Sequence, residues 1–454
     1  MEQIVKAHDT VLHILRKPKT SDSGYRMSQY CLTKEVCDGV LLFHMLTKEM
    51  LLLTEEEYEN RLSSQYLRAR WFVVPEELKE KEYVEMVRLV TKSMNAKSPS
   101  ITKYTILPTS DCNARCYYCY ELGRARVPMS DEVAVRTARY IKDHCGGEKV
   151  SINWFGGEPL FNSPAMDLIC EELNKAGVVY SSTMLSNGYL FDDEAVKKAA
   201  GLWGLKSVQI TMDGTEEIYN KSKAYIYKGV NAYKVVLENI ARLLKTDIKV
   251  IIRLNMNLKN ADDLMAFADE LAARYPDKTN LRVYAYLLYD DKPVEERYSA
   301  EGWTELYDAL HRLNSKLLEL GLSTKKQRIL RKTLRLNSCK ADSGKSVIVM
   351  PDGKLKLCNQ YAEDDYIGDI FSDGFDKEVM ESWQERCEEL PECQTCFNYP
   401  DCIRLKKCKN GNACYDHRRD SIRKSTEQAM VQEYERWKDP SSAKPEDEED
   451  DFMQ

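Results

Sequence analysis

The chain has 454 residues, 43% hydrophobic and 31% charged, with only 20 Gly and 14 Pro, which excludes a collagen-like, low-complexity or wholly disordered polymer. No apolar run reaches the roughly 18–20 residues of a membrane span, and the N-terminus MEQIVKAHDT is too polar for the core of a secretory signal. A formal charge of −7 argues against a general nucleic-acid binder, so neither a membrane nor a nucleic acid is an expected partner.

Residues 1–98 read as one block. Gly39–Leu46 and Met50–Leu53 are apolar runs separated by Thr47-Lys48-Glu49, the pattern of a hairpin. Thr54–Arg61 then reads as a helix capped by Thr54, with Glu57 at the capping-box position. The polar stretch Asn95–Pro99 reads as a linker.

From residue 99 to 320 the pattern alternates. Strand-like runs at Tyr104–Pro108, Val150–Phe155, Val178–Leu185, Ser207–Met212, Val250–Met256 and Leu281–Leu288 are separated by helical stretches. Those stretches include Glu132–His144, Met166–Ala176, Val235–Leu244, Asp262–Arg274 and Trp303–Leu320. Six β-α units predict an α/β fold with parallel strands, because parallel neighbours need crossover connections. Six are too few for a closed eight-stranded barrel, so the expected form is an open, partial (β/α)6 barrel. A doubly wound sheet is the rival topology, which periodicity alone does not separate.

Residues 321–425 lose that rhythm and gain cysteine. A last helix is expected over Ser425–Trp437, and residues 426–454 as a whole read as this helix followed by an acidic tail. Its run of six acidic residues, 446–451, is self-repelling and expected to be disordered.

The chain holds 15 cysteines, an odd number without a signal peptide, which does not fit a secreted disulfide framework. Eleven fall into two regions, Cys112–Cys119 and Cys339–Cys414, with metal-ligand spacing that implies a reducing, cytoplasmic setting. The remaining four, Cys31, Cys37, Cys145 and Cys170, read as plain thiols.

Cys112-Asn-Ala-Arg-Cys116-Tyr-Tyr-Cys119 places three thiols in a loop just past the first predicted strand. In α/β barrels chemistry gathers at that end of the strands. Three thiolates on a 4Fe–4S cluster leave one iron free to bind something else. A structural zinc site would need a fourth Cys or a His, and the nearest histidine, His144, falls in a predicted helix.

This Cys-x3-Cys-x2-Cys loop, with aromatic Tyr118 before its last cysteine, resembles that of the radical SAM superfamily. The resemblance continues through Trp154-Phe155-Gly156-Gly157-Glu158-Pro159, similar to the family's GGEP motif, and through Ser186-Asn187-Gly188 and Thr211-Met212-Asp213-Gly214 at the next two strand ends. Arg253 lies on the fifth strand. The resemblance implies that Tyr118, Gly156, Gly157, Glu158, Ser186, Asn187, Thr211 and Arg253 contact S-adenosylmethionine, and that Cys112, Cys116 and Cys119 hold the cluster. It also implies the chemistry: one-electron cleavage of the cofactor yields a 5′-deoxyadenosyl radical that abstracts hydrogen from substrate, while the protein orients it and excludes water.

The later cysteines, Cys339, Gly353-x4-Cys358 and then Cys393-x2-Cys396-x5-Cys402-x5-Cys408-x5-Cys414, resemble the SPASM extension of peptide-modifying radical SAM enzymes. That extension binds two auxiliary 4Fe–4S clusters, giving three in all. By position Cys339, Cys358 and Cys408 would hold the first and Cys393, Cys396, Cys402 and Cys414 the second. The gap from Cys402 to Cys408 and the short gap to Cys414 depart from the family pattern. The fourth position of the first cluster is either Cys387 or an iron open to a substrate thiol, and a pair of zinc-ribbon-like sites is the alternative for the region.

The N-terminal block is similar in length and in hairpin-then-helix order to the winged-helix-like recognition domains of enzymes that mature ribosomally made peptides. Such domains take a leader peptide as an added strand on a sheet edge. The reading implied is an enzyme that oxidatively cross-links a precursor peptide through a thioether or carbon–carbon bond, fed by a reductase, flavodoxin or ferredoxin. The rivals are a sulfatase-maturing, formylglycine-forming enzyme, which usually starts closer to its cluster loop, and a zinc-stabilised binding protein. Tyr289, Asp290 and Asp291, past the sixth strand, are placed for a general base, although loop acids are usually only solvated.

Overall fold

The computed structural model describes residues 1–15, 23–95, 100–119, 121, 123, 125–288, 297–323, 330–334, 339–341, 343–359, 365–372, 374–408, 414 and 416–439. Linker residues 96–99, Tyr289, Asp290 and Asp291, and the acidic run 446–451 lie outside the described residues. The chain divides into two units, one formed by 1–97, 325–343 and 385–454, the other by 98–324 and 344–384.

The first unit begins with β1 (Glu2–Val5), α1 (Asp9–Leu15), β2 (Tyr25–Met27), β3 (Cys31–Val36), β4 (Gly39–His44) and β5 (Met50–Leu53). Then come α2 (Glu55–Glu59), α3 (Gln65–Ala69), β6 (Val73–Pro75) and α4 (Glu80–Asn95). The antiparallel sheet runs β1-β5-β4-β3, with β2 and β6 paired apart. The predicted hairpin is β4–β5, and both its strands are buried throughout. Leu41 and Phe43 join one apolar core and Val40 and Leu42 a second, so both faces are covered and the sequence reads as an unbroken apolar run. The capping box is formed as expected: Thr54 Oγ1 accepts from the Glu57 amide and Glu57 accepts from the Thr54 amide.

The second unit follows the predicted alternation: β7 (Lys103–Ile106), α5 (Asp131–His144), β8 (Val150–Trp154), α6 (Ser163–Lys175), β9 (Tyr180–Ser186), α7 (Asp193–Ala200) and β10 (Leu205–Met212). It continues with α8 (Glu216–Lys223), α9 (Ala232–Leu243), β11 (Lys249–Met256), α10 (Ala261–Arg274), β12 (Leu281–Leu287) and helix Ala300–Glu319. Its sheet also takes up β13 (Ser346–Val349), β14 (Lys354–Lys356) and β15 (Gly368–Asp369), in the order β12-β11-β10-β9-β8-β7-β13-β14-β15. Strands β7 to β12 are parallel and lie in chain order without a reversal. A doubly wound sheet reverses at a switch point, so this order is that of the partial barrel.

The burial pattern agrees. In β10, Val208, Ile210 and Met212 are buried while Gln209 and Thr211 are half-exposed, and in β11 Val250, Ile252 and Leu254 are buried while Ile251 and Arg253 are half-exposed. A doubly wound parallel sheet is apolar on both faces. Here one face is apolar and the other carries Asn153, Thr183, Gln209, Thr211, Arg253 and Tyr284, the composition of a barrel lumen that admits a polar ligand. Among the described residues no helix is long and apolar enough to cross a membrane.

Candidate active site

The three-cysteine loop leaves the C-terminal end of β7 and is fastened by its own backbone and by the next strand ends. Thr109 Oγ1 accepts from the Asp111 amide at 2.9 Å, and Asp111 accepts from the Cys112 amide at 2.7 Å. The Arg115 guanidinium donates to the carbonyls of Cys112 and, at 2.7 Å, Ala114, which curls the chain between the first two thiols. The Cys119 amide donates to the Cys116 carbonyl at 3.1 Å.

The Gly156-Gly157 turn after β8 is pressed against this loop. A Cβ on Gly157 would lie 2.2 Å from the Asp111 carbonyl oxygen, and one on Gly156 would lie 2.3 Å from that of Thr109. Gly156 also has φ +117°, a conformation open to glycine. The amides of Gly157 and Glu158 donate to the carbonyls of Thr109 and Asp111. The glycine pair therefore sets the position of the residues that lead into Cys112.

Glu158 is fully buried and ties the second strand end to the third. It accepts from Ser186 Oγ at 2.9 Å, from the Asn187 amide at 2.8 Å and from the Leu160 amide at 3.3 Å. Burial pushes its pKa up to about 7, against the lowering effect of these donors. Asn187 in turn reaches the cysteine loop, donating to Asn113 Oδ1 at 2.6 Å and lying 3.7 Å from Cys112 Sγ.

Tyr118 is anchored by the fourth and fifth strands. Its hydroxyl donates to the Asp213 carboxylate at 2.6 Å and accepts from Lys223 Nζ at 2.9 Å and Asn255 Nδ2 at 3.3 Å. Lys223 also donates to Thr211 Oγ1 at 2.7 Å and pairs with Asp213 at 3.5 Å, both charges buried. Burial disfavours the Lys223 ammonium, yet Asp213 and Cys116 beside it outweigh that cost and hold its pKa above the ordinary value. Burial raises the Cys116 thiol, and Lys223 opposes that rise. Lys223, Asn113 and Asn255 were absent from the sequence expectations. Asn255 shares a strand face with Arg253 two residues away, and Asn113 lies inside the cysteine motif. Lys223 ends helix α8 with no local signal.

The arrangement thus brings together Cys112, Cys116, Cys119, Tyr118, Gly156, Gly157, Glu158, Ser186, Asn187 and Thr211. Arg253 sits opposite Thr211 in the register, stacked 4.4 Å over the Tyr286 ring. Burial pushes the Cys112 thiol up to about 12, with Glu158, Cys116 and Cys119 adding to the rise, so the thiols feel one another's charge. Among the described residues no three Cys, His, Asp or Glu side chains are gathered closely enough for a single ion. A cluster with one iron per thiol keeps its ligand sulfurs farther apart than a lone ion does, and three soft thiols are the donor set it takes. Two buried polar atoms nearby have no partner, Asn113 Nδ2 and Arg253 Nε. Buried donors are normally satisfied, so this is a site that fits a ligand rich in acceptors, as a carboxylate and a ribose are.

The later cysteines fall in both units. Cys358 follows β14 in the second; Cys339, Cys387, Cys393, Cys396, Cys402, Cys408 and Cys414 belong to the first. Burial raises the Cys396 thiol, and Cys402 and Cys414 add to the rise, so these three share one neighbourhood. Arg404 Nη1 lies 3.7 Å from Cys393 Sγ and Arg419 Nη1 3.4 Å from Cys414 Sγ. Of the plain thiols, Cys145 and Cys170 are buried, Cys31 is half-buried and Cys37 is exposed, 3.5 Å from the Tyr434 hydroxyl.

Residues 106–271 match the Radical SAM superfamily, the span that holds the cysteine loop and the strand ends around it. That span is thus similar to a radical SAM domain, and the match lies on the part of the second unit that carries the site. A GTP 3′,8-cyclase of Clostridium perfringens is 26% identical over 312 residues, 63% of this chain and 88% of that protein. The sporulation killing factor maturation protein SkfB of Bacillus subtilis is 25% identical over 170 residues, 37% of this chain and 39% of that one. Among solved structures, native anSMEcpe with bound AdoMet matches with a TM-score of 0.54 at 17% identity, covering 74% of this chain and 100% of that one. Streptococcus suis SuiB bound to precursor peptide SuiA matches with a TM-score of 0.51 at 11% identity, covering 84% and 94%. The sequence-based resemblance to radical SAM peptide maturases is borne out in superfamily and fold.

Proposed function

We propose that this protein is a radical SAM peptide maturase that joins two side chains of a ribosomally made precursor peptide through a thioether or carbon–carbon bond. The observation that carries the reading is the three-thiol loop at the mouth of a polar-faced partial barrel, in a chain that adds eight further clustered cysteines and a separate antiparallel sheet with β1 and β3 as its outer strands. Peptide-bound neighbours of the same fold, anSMEcpe with the Kp18Cys peptide (TM-score 0.55) and SuiB with SuiA, support it.

In this reading Cys112, Cys116 and Cys119 hold a 4Fe–4S cluster, with Asn113, Ser186, Asn187, Thr211 and Arg253 around the cofactor's polar groups. When bound, S-adenosylmethionine supplies a hydrogen-abstracting radical. The Tyr118–Asp213–Lys223 network fixes the loop, and Glu158 locks the Ser186–Asn187 turn. Cys393, Cys396, Cys402 and Cys414 serve as one auxiliary set. Cys339, Cys358 and Cys408, with Cys387 or an open iron, serve as the other on cysteine order alone. The balance is X–H plus Y–H giving X–Y. One hydrogen atom, one proton and one electron leave the peptide per bond; the auxiliary cysteine sets would hold the groups that take up that electron, and a reductase, flavodoxin or ferredoxin would donate the electron that starts each turnover. The leader segment of the peptide docks as an added strand on the N-terminal sheet.

A second reading, GTP cyclisation, is favoured by the Clostridium perfringens relative. One experiment separates them. A Cys-containing peptide encoded beside the gene is co-expressed anaerobically with this protein, and its mass is measured. Loss of two hydrogen atoms per bond with no new aldehyde in the peptide, absent when Cys112, Cys116 and Cys119 are Ala, supports peptide cross-linking. An unchanged peptide with GTP consumed supports cyclisation, and conversion of a Cys or Ser to formylglycine supports the sulfatase-maturing alternative.

A further inference from the structure

The C-terminal cysteine segment is built into the core of the N-terminal block. Cys393, Phe397 and Tyr399 belong to the same buried cluster as Tyr30, Phe43, Trp71, Val84 and Val87, and Cys396 packs against it. Polar contacts reinforce the join. Arg88, on α4, donates to the carbonyls of Tyr399 and, at 3.1 Å, Cys402. The Tyr399 hydroxyl lies 2.6 Å from both the Glu85 and the Glu389 carboxylates, with one proton to donate between them. Lys48, in the β4–β5 turn, has a wholly buried side chain and meets Asp401 at 2.6 Å. Nothing in the radical chemistry requires a fully buried lysine to sit in a peptide-binding hairpin and hold the residue before a cysteine. A buried charge is retained only when paired, so Lys48 and Asp401 fix each other's place.

We propose that the N-terminal block forms the wall of the second auxiliary cluster, with Lys48 and Arg88 as positioning residues that hold Tyr399–Cys402, so that cluster loading and folding of the N-terminal block are one linked equilibrium. The inference rests on the reading of Cys393, Cys396, Cys402 and Cys414 as ligands. Linkage is reciprocal: whatever binds the folded block alone stabilises it, and whatever loosens the block weakens the binding. A radical enzyme gains from this, because a chain lacking its electron acceptor would also present a loosened peptide-docking sheet.

The test uses the full chain with Cys112, Cys116 and Cys119 replaced by Ala, so that only auxiliary iron remains. Iron and labile sulfide per chain are measured after anaerobic reconstitution. Lys48→Met and Arg88→Met are expected to lose one of the two auxiliary cluster equivalents, with Arg88→Lys retaining it in large part. In the same chain without these further changes, cleavage within residues 1–95 by a dilute protease is expected to slow about tenfold or more on reconstitution, as stabilisation by a bound group requires. Unaltered iron in both Met variants, or equal cleavage rates with and without bound iron, overturns the inference. A chain that takes up no auxiliary iron overturns the ligand assignment beneath it.

Discussion

The loop after β7 and the segment from Cys393 to Cys402 both present cysteines, yet they are held by opposite forces. Around Cys112–Cys119 the contacts are polar: Asn187, Asp213 and Asn255 reach in from strand ends and Lys223 from the end of α8, and Gly157 leaves no side chain between loop and turn. Around Cys393–Cys402 the contacts are mainly apolar, with Trp71, Val84 and Val87 as the wall, joined by Arg88 and the buried Lys48. Polar contacts fix direction and charge at small cost in exposed surface. Apolar burial ties the site to the stability of everything packed with it. Alterations at the first site are therefore expected to reach the chemistry as well as the stability of the second unit, and those at the second to act through the fold of the first unit.

The largest effect follows from the thiols themselves. With Cys112, Cys116 and Cys119 replaced by Ala, release of 5′-deoxyadenosine is expected to fall to background while auxiliary iron remains. Chromatography of the nucleoside and iron analysis read the two quantities on one sample. Continued cleavage would refute the assignment of the cluster to this loop.

Next comes Lys223→Met, which sharpens the comparison by unbalancing the polar site. Asp213 is then left buried without its cation, a change worth about 3–5 kcal/mol, read as the shift of the second unit's denaturation midpoint. Replacing Asp213 by Leu as well removes the stranded charge and is expected to recover part of the loss. If the double variant is no more stable than the single, the pair is not the source of the effect. Gly157→Ala follows at about 1–3 kcal/mol, the cost of forcing a methyl into filled space. Because the clash is with the Asp111 carbonyl, iron bound by the Cys112 loop falls with it. A variant as stable and as iron-rich as the parent would show that the turn yields freely.

How much of this was legible in the sequence depended on range. The hairpin at 39–53 and the Thr54–Glu57 box are local and were readable from neighbouring residues. The six parallel strands were readable from their spacing, and their order along the sheet then follows the simplest winding. Strand β3 was missed because Thr33, Lys34 and Glu35 are exposed on a polar edge. Strand β13 was missed because its pairing with β7 is distant in sequence. The last helix starts at Asp416, nine residues before the expected Ser425, since its first turns are polar and carry no apolar spacing. Lys223 and the Lys48–Asp401 pair were illegible for a common reason: a buried ion pair is specified by two residues far apart, and neither alone differs from a solvated charge.

The smallest effect tests the apolar region through pH. His44 is the buried last residue of β4; its Nδ1 accepts from the amides of Leu46 and Thr47, so its Nε2 carries the proton and donates to Ser28 Oγ at 3.1 Å. Ser28 in turn donates to the Glu80 carboxylate. Burial lowers the His44 pKa to about 3, with Lys48 adding to the fall. The folded chain then binds no proton at His44 where the unfolded chain does, so stability is full above the unfolded value near 6.5. It is lost by about 1.4 kcal/mol per pH unit below that, until the folded value is reached. His44→Gln removes this proton uptake, so between pH 6.5 and 5.5 the unfolding free energy of the first unit should fall more steeply in the parent than in the variant. Parallel slopes would mean that the ring is reached by water in the folded state, and the contrast between an apolar and a polar cysteine region would then fail at its apolar end.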